Sequence, residues 1–281
     1  HQPELRMGKF YPFVLAFFCA CGLLPGRAQS IHFDRLDIND GLSQNTVASI
    51  IQDDKGFMWF GTKDGLCRYD GKSFKTFMHD PRLKTGLGNS LIKSLVQDHD
   101  HKIWVGTDSG LYIYDPELES FAAVPLYDDD GKPITKPIPI LDCDREGRVW
   151  IVVGNNDVFC YDPHTSLIEC RYKPRTTLRS LTTDKNGVIW FSGYGGGLYW
   201  TEDGFEHVKP FLDAGGQEIY PKDIISYICL SDYNRMYLGL EEHGVAEVDL
   251  VTKTVTRLRL SDNPDAPLFV RHILQYSADE L

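Results

Sequence analysis

Several signatures of chemistry are missing from this chain. Its 281 residues contain no Gly-x-Ser-x-Gly and no phosphate-binding loop, and the nine histidines are scattered. No pair of cysteines has zinc-site spacing, so neither a metal cluster nor any other cofactor is expected. Positive charge is in deficit: 29 Lys and Arg stand against 40 Asp and Glu, a net charge of −11. That balance argues against nucleic acid as a partner of this segment, because phosphate binding needs a basic face. Helix-type apolar stripes are few. The longest apolar run, Phe10 to Leu24, is about 15 residues, short of the roughly 20 that span a bilayer.

What is present is aromatic and rich in turns. Fifteen Phe, fourteen Tyr and five Trp accompany 25 Gly, within 42% apolar and 25% charged residues, which suits an all-β globular chain. Arg6 and Lys9 precede the apolar run, and Gly26-Arg27-Ala28 follows it with small residues where a signal peptidase reads. Residues 1–28 are therefore expected to be a signal peptide with upstream residues, cleaved after Ala28, with a lipoprotein signal ending at Cys21 as the rival. Export places residues 29–281 where disulfides form. Cys160 and Cys170 flank a turn at Asp162 to Ser166 and are candidates for a bridge, against the alternative that all five remaining cysteines are small buried apolar residues.

A repeat organises the chain. Trp59, Trp104, Trp150, Trp190 and Tyr237 recur at intervals of 45, 46, 40 and 47 residues. Six residues before them stand Asp53, Asp98, Asp144, Asp184 and Ser231, and three before them Gly56, His101, Gly147, Gly187 and Asn234. The second column is what a tight turn with one left-handed residue requires. The first can close that turn by accepting from backbone N–H groups two residues on. Around each aromatic lie four short strands, and the period is that of four-stranded blades. The expected fold is an all-β propeller of antiparallel four-stranded blades, with a twisted sandwich as runner-up. Five full blades are expected at about 44–79, 90–125, 137–172, 177–210 and 223–260, with part of a sixth at 268–281. Residues 31–38 are expected to be the closing strand of the last blade, completing a ring of seven in a longer parent. Val152-Val153 stand where other copies have Gly-Thr, so the second strand of the third blade is expected to pack differently.

Phe33-Asp34-Arg35-Leu36, Asp40-Gly41-Leu42-Ser43, Gly56-Phe57-Met58-Trp59-Phe60-Gly61-Thr62 and Asp64-Gly65-Leu66-Cys67-Arg68-Tyr69-Asp70-Gly71 closely resemble the opening of a regulator-propeller array, the periplasmic half of hybrid two-component sensors. The resemblance implies a second propeller, a membrane helix, a histidine kinase and further domains in the same parent chain. It also implies a parent anchored in the inner membrane and free to dimerise. The implied function is detection of an oligosaccharide, without catalysis by this segment. Asp184 to Trp190 is also similar to the Asp-box turn of sialidases, a structural element in both settings. An enzyme alternative is the propeller lyase that opens streptogramin lactones, for which Glu241-Glu242-His243 is the comparable cluster.

Ligand contacts are expected on the loops between second and third strands and between blades, because strand residues are occupied by packing. The candidates are Lys63, Asp64, Asp108, Asn155, Tyr194, Glu242 and His243, with Tyr194 as the aromatic platform for a sugar. Trp200, inside a strand, is expected to be core. No catalytic residue and no metal ligand are expected.

Overall fold

In blades one to four the turn between first and second strands is built on the same local device. Asp53 Oδ1 accepts from the N–H of Lys55 and of Phe57 (3.0 and 2.8 Å), and its Oδ2 accepts from Trp59 Nε1 at 2.8 Å. Asp98 does the same for Asp100, Lys102 and Trp104, with the indole at 2.6 Å. So does Asp144 for Glu146, Arg148 and Trp150, and Asp184 for Asn186, Val188 and Trp190. The left-handed column is as anticipated: φ is +88° at Gly56, +64° at His101, +78° at Gly147, +81° at Gly187 and +58° at Asn234. The indole bond is the part the sequence reading did not contain. In the fifth copy Ser231 Oγ accepts from Tyr233 N, at 3.2 Å, and Tyr237 has no indole to offer.

The computed structural model describes residues 35–154, 156–231, 233–259 and 269–273, and all its strands belong to the unit Asp37–Leu281. Blade one is β1 (Val47–Gln52), β2 (Met58–Thr62), β3 (Gly65–Tyr69) and β4 (Phe74–Phe77). Blade two is β5 (Ile92–Gln97), β6 (Ile103–Thr107), β7 (Gly110–Asp115) and β8 (Ser120–Val124). Blade three is β9 (Ile140–Cys143), β10 (Val149–Val153), β11 (Asp157–Asp162) and β12 (Leu167–Tyr172). Blade four is β13 (Leu178–Thr183), β14 (Ile189–Gly193), β15 (Leu198–Thr201) and β16 (Lys209–Pro210). Blade five is β17 (Ile225–Leu230), β18 (Arg235–Leu240), β19 (Gly244–Asp249) and β20 (Val255–Leu258). Each sheet is an antiparallel meander in sequence order, and the first strands β1, β5, β9, β13 and β17 lie side by side around a shared centre. Among the described residues the fold is a β-propeller of five four-stranded blades.

The core lies between blades. Trp59 and Leu66 pack with Ile92 and Leu95 of the next blade; Trp104 and Leu111 with Ile138 and Ile151; Trp150 and Val152 with Leu178 and Leu181; Trp190 and Leu198 with Ile225 and Ile228. A single four-stranded sheet has two apolar faces, and only radial stacking covers both. The seams also carry polar ties. Ser94 Oγ donates to the Ile138 carbonyl (2.7 Å) and Ser192 Oγ to that of Ile225 (2.8 Å).

Three expectations need correction or restriction. Four short strands were expected in every blade, but in blade four the last of them, β16, is only Lys209–Pro210. Phe205, at φ +77°, turns back into the core and stacks on Tyr172 with ring centroids 4.9 Å apart, so the preceding chain cannot lie flat along the sheet edge. Cys160 and Cys170 are both free. Cys160 lies opposite Glu169, and Cys170 opposite Phe159, which puts the two thiols on opposite faces of the sheet, toward different neighbouring blades. Trp200 is half-buried, stacked on Trp190 at 6.1 Å, with the Lys209 ammonium 4.9 Å from its centroid. At Val152-Val153 the valines are fully buried and the pairing of β10 with β9 is regular, whereas β1, β5, β13 and β17 each carry a bulge.

Residues 1–34, and with them the expected leader and half of the closing strand, lie outside the described residues. Within the rest of that strand, Ile38 begins a short 3-10 turn, Ile38–Asp40. Of the expected sixth blade, residues 269–273 are described and carry no strand. Ile273 packs with Tyr237 and Val245 of blade five, and Ser226 Oγ donates to the Val270 carbonyl.

Candidate functional site

The hairpins that join second and third strands share one end of the propeller, and a repeated backbone clamp holds them there. Lys63 N donates to the Thr46 carbonyl just before its own first strand, and Gly65 N to that of Ser90, just before the next blade's. Asp108 N to Leu91 and Gly110 N to Lys136 repeat the pair, as do Tyr194 N to Thr177 and Gly197 N to Tyr220. Glu241 N bonds the Ile224 carbonyl in the fifth blade. The predicted loops are thus one surface, interleaved with the segments that lead into each blade.

On that surface the predicted residues fall into separate groups. Lys63 and Asp64 are exposed at the tip of a hairpin closed by Thr62, whose Oγ1 accepts from Asp64 N at 3.0 Å. Asp108 pairs with Lys93 at 3.2 Å. Tyr194, 56% exposed, lies over the Arg179 guanidinium, 5.2 Å from ring centroid to Cζ. Arg179 also reaches Glu241 of the next blade at 3.5 Å, and its Nε is buried without a hydrogen-bond partner. Glu242 and His243 line a small recess with Lys222, Asp223, Ile224 and Glu241. There His243 Nδ1 lies 3.4 Å from Asp223 Oδ1, while its carbonyl accepts from Arg257 Nε. Asn155 lies outside the described residues.

Lys93 and Arg179 were missed by sequence reading. Both occupy the bulge of a first strand: the register slips between Ile92 and Ser94 in β5, and between Leu178 and Ser180 in β13. A bulge re-aims the extra side chain, and here it delivers a cation to the hairpin end of the blade. The signal available was a lone basic residue inside an otherwise apolar or hydroxylic strand. Tyr194, Arg179 and Glu241 together offer an exposed aromatic face, a guanidinium and a carboxylate. Such a set recognises a ligand through stacking and hydrogen bonds, and it has no nucleophile with a base beside it.

Between blades three and four, Asp142 Oδ2 accepts from Thr183 N (2.8 Å) and Thr183 Oγ1 (2.7 Å). Burial pushes its pKa up to about 7, partly opposed by the Thr183 hydrogen bonds and reinforced by the nearby Asp144 carboxylate. The folded value lies above the unfolded one, so this group's contribution is complete below about pH 4 and is lost as pH rises toward 7. Asp142→Asn keeps an acceptor without the charge. It is expected to stabilise the domain by about 1–3 kcal/mol at pH 8, a gain that shrinks as pH falls to 4. Thermal melts of both proteins across that range check it.

Residues 41–64 and 86–109 match the two-component regulator propeller family. Over 46 residues the chain is 48% identical to Histidine kinase P4 of Formosa agariphila, a match that covers 16% of this chain and 3% of that relative. The extracellular domain of BT3049 from B. thetaiotaomicron, assigned as a hybrid two component system, superposes with a TM-score of 0.63 at 21% identity, over 86% of this chain and 39% of that one. Virginiamycin B lyase from Staphylococcus aureus superposes with a TM-score of 0.50 at 11% identity, over 79% of this chain and 87% of that one. At such identities the two solved structures share the fold, and this chain spans less than half of the first of them. No helix among the described residues is long and apolar enough to cross a membrane. The chain is therefore a propeller in which two segments, 41–64 and 86–109, match two-component regulator propeller repeats.

Proposed function

We propose that this propeller is the extracytoplasmic sensing module of a hybrid two-component regulator. It is exported by its N-terminal leader to the periplasm, binds an oligosaccharide at the hairpin end and does no chemistry itself. Bound ligand shifts the population of arrangements between this propeller and the rest of the parent chain, including a second propeller, toward one that the histidine kinase reads. The observation that carries the reading is the Tyr194 ring, exposed yet held over Arg179, with Glu241 supplied from the next blade. An aromatic face flanked by charged hydrogen-bonding groups suits a sugar ring, whose C–H face stacks while its hydroxyls bond at the edge.

Calorimetric titration of the chain with a panel of oligosaccharides tests this. Saturable heat without product is expected for at least one of them, weakened about tenfold or more by Tyr194→Ala and by Arg179→Ala, the loss of about 1.4 kcal/mol or more. Binding that neither substitution changes, or no binding across the panel, sinks the reading.

One observation favours a lyase of the streptogramin-opening type as a second reading: His243 faces Asp223 in a recess shared with Glu241 and Glu242. Lactone opening that disappears in His243→Ala would establish it in place of the sensor.

A further inference from the structure

The opposite end of the propeller, where first strands turn into second strands, holds a cavity of about 770 Å³. That lies within the roughly 300–1,000 Å³ typical of small-ligand sites. The turn residue that follows each conserved-position acid is Asp54, His99, Arg145 and Lys185 in blades one to four, and Asp232, outside the described residues, in the fifth copy. Three successive blades therefore set His99, Arg145 and Lys185 on one rim, and all three line the cavity together with Trp190 and Tyr227. Arg145 and Lys185 match the charges of Asp144 and Asp184 on this lining, in a chain whose net charge is −11.

The acids on the same lining are turned inward. Asp144 spends Oδ1 on the Glu146 and Arg148 N–H groups and Oδ2 on Arg148 Nε and Trp150 Nε1. Asp184 spends its oxygens on Asn186 N, Val188 N and Trp190 Nε1. Arg145, by contrast, makes no hydrogen bond or ion pair among the described residues. Its guanidinium keeps a full set of donors, in the fork that matches a carboxylate or sulfate bidentately.

We infer that this cavity binds a ligand carrying a carboxylate or sulfate group, gripped by Arg145 with Lys185 and His99 at the rim, its body lying against Tyr227 and Trp190. The site is separate from the Tyr194 surface and stands or falls without it.

The test is titration of the whole chain at low ionic strength with trigalacturonate, with neutral galactotriose and with sodium sulfate, followed by heat and by the emission of Trp190 at the cavity wall. Saturable binding of trigalacturonate or of sulfate is expected, with none for galactotriose. Sulfate bound as well as the saccharide identifies a free anion as sufficient, and the saccharide bound alone identifies an acidic sugar; both support the site. Arg145→Ala combined with Lys185→Ala is expected to weaken binding at least about tenfold with an unchanged melting curve, while Arg145→Lys retains most of it and Tyr194→Ala all of it. The inference is overturned by failure of both anions to bind, by equal binding of the neutral sugar, by a double variant that binds as tightly as the parent, or by loss of binding in Tyr194→Ala.

Discussion

Asp144→Ala is expected to destabilise the domain by about 3–5 kcal/mol, because it strands several buried or half-buried donors at once. The carboxylate is 2% exposed and accepts from two backbone N–H groups, from Arg148 Nε and from the Trp150 indole. Alanine leaves the indole facing a void inside the seam between blades three and four. Asparagine rescues little: one oxygen still accepts from the backbone, but the amide NH₂ then opposes two donors. Urea unfolding of the three proteins checks this. The expected order is wild type, then asparagine, then alanine, and an alanine variant within about 1 kcal/mol of wild type would show that the staple contributes little beyond ordinary turn formation. Ser231→Ala, at the same position of the copy that lacks an indole, is expected to cost about 1 kcal/mol or less.

Gly106→Ala is the second substitution with a large expected effect, about 2–3 kcal/mol. A Cβ at this position would lie 2.3 Å from Ser94 Oγ and 2.5 Å from the Ile138 carbonyl oxygen. That oxygen belongs to the next blade and is itself the acceptor of the Ser94 hydroxyl, so the methyl group both breaks the seam's hydrogen bond and pushes two sheets apart. The same strand position holds Val152 in blade three and Ser192 in blade four. The clash thus comes from the particular neighbour and not from the strand position. A double variant, Gly106→Ala with Ser94→Ala, is expected to recover part of the loss, and denaturation midpoints of the two variants compare the terms.

The recurring aromatic and the left-handed residue three places before it were enough to read the turns, the strand count per blade and the radial arrangement. The acid six places before the tryptophan was visible too, but the spacing alone does not say that the side chain reaches the indole as well as the backbone. That follows only once the turn and the first residues of the second strand bring Oδ2 beneath the ring. The cysteine pair was misread by one step of register. Ser166, at φ +56°, lengthens the hairpin so that Asp162 lies opposite Leu167, and a one-residue slip moves a side chain to the other face. Lys93 and Arg179 were hidden for a related reason, since a bulge breaks the alternation by which strand side chains are assigned to faces. The short outer strand of blade four was set by Phe205 finding a place in the core, a tertiary preference that local pattern does not record.

One set of polar contacts across the seams is addressed to main-chain carbonyls: those of Ile138 and Ile225 receive the serine hydroxyls, and those of Ser90, Lys136 and Tyr220 receive the hairpin N–H groups. Every residue type presents the same carbonyl, so these contacts make no demand on the side chains of the adjoining module. A gene encoding such an array can therefore lengthen by copying one unit, and the residues that supply these carbonyls can then drift in sequence without a matching change next door.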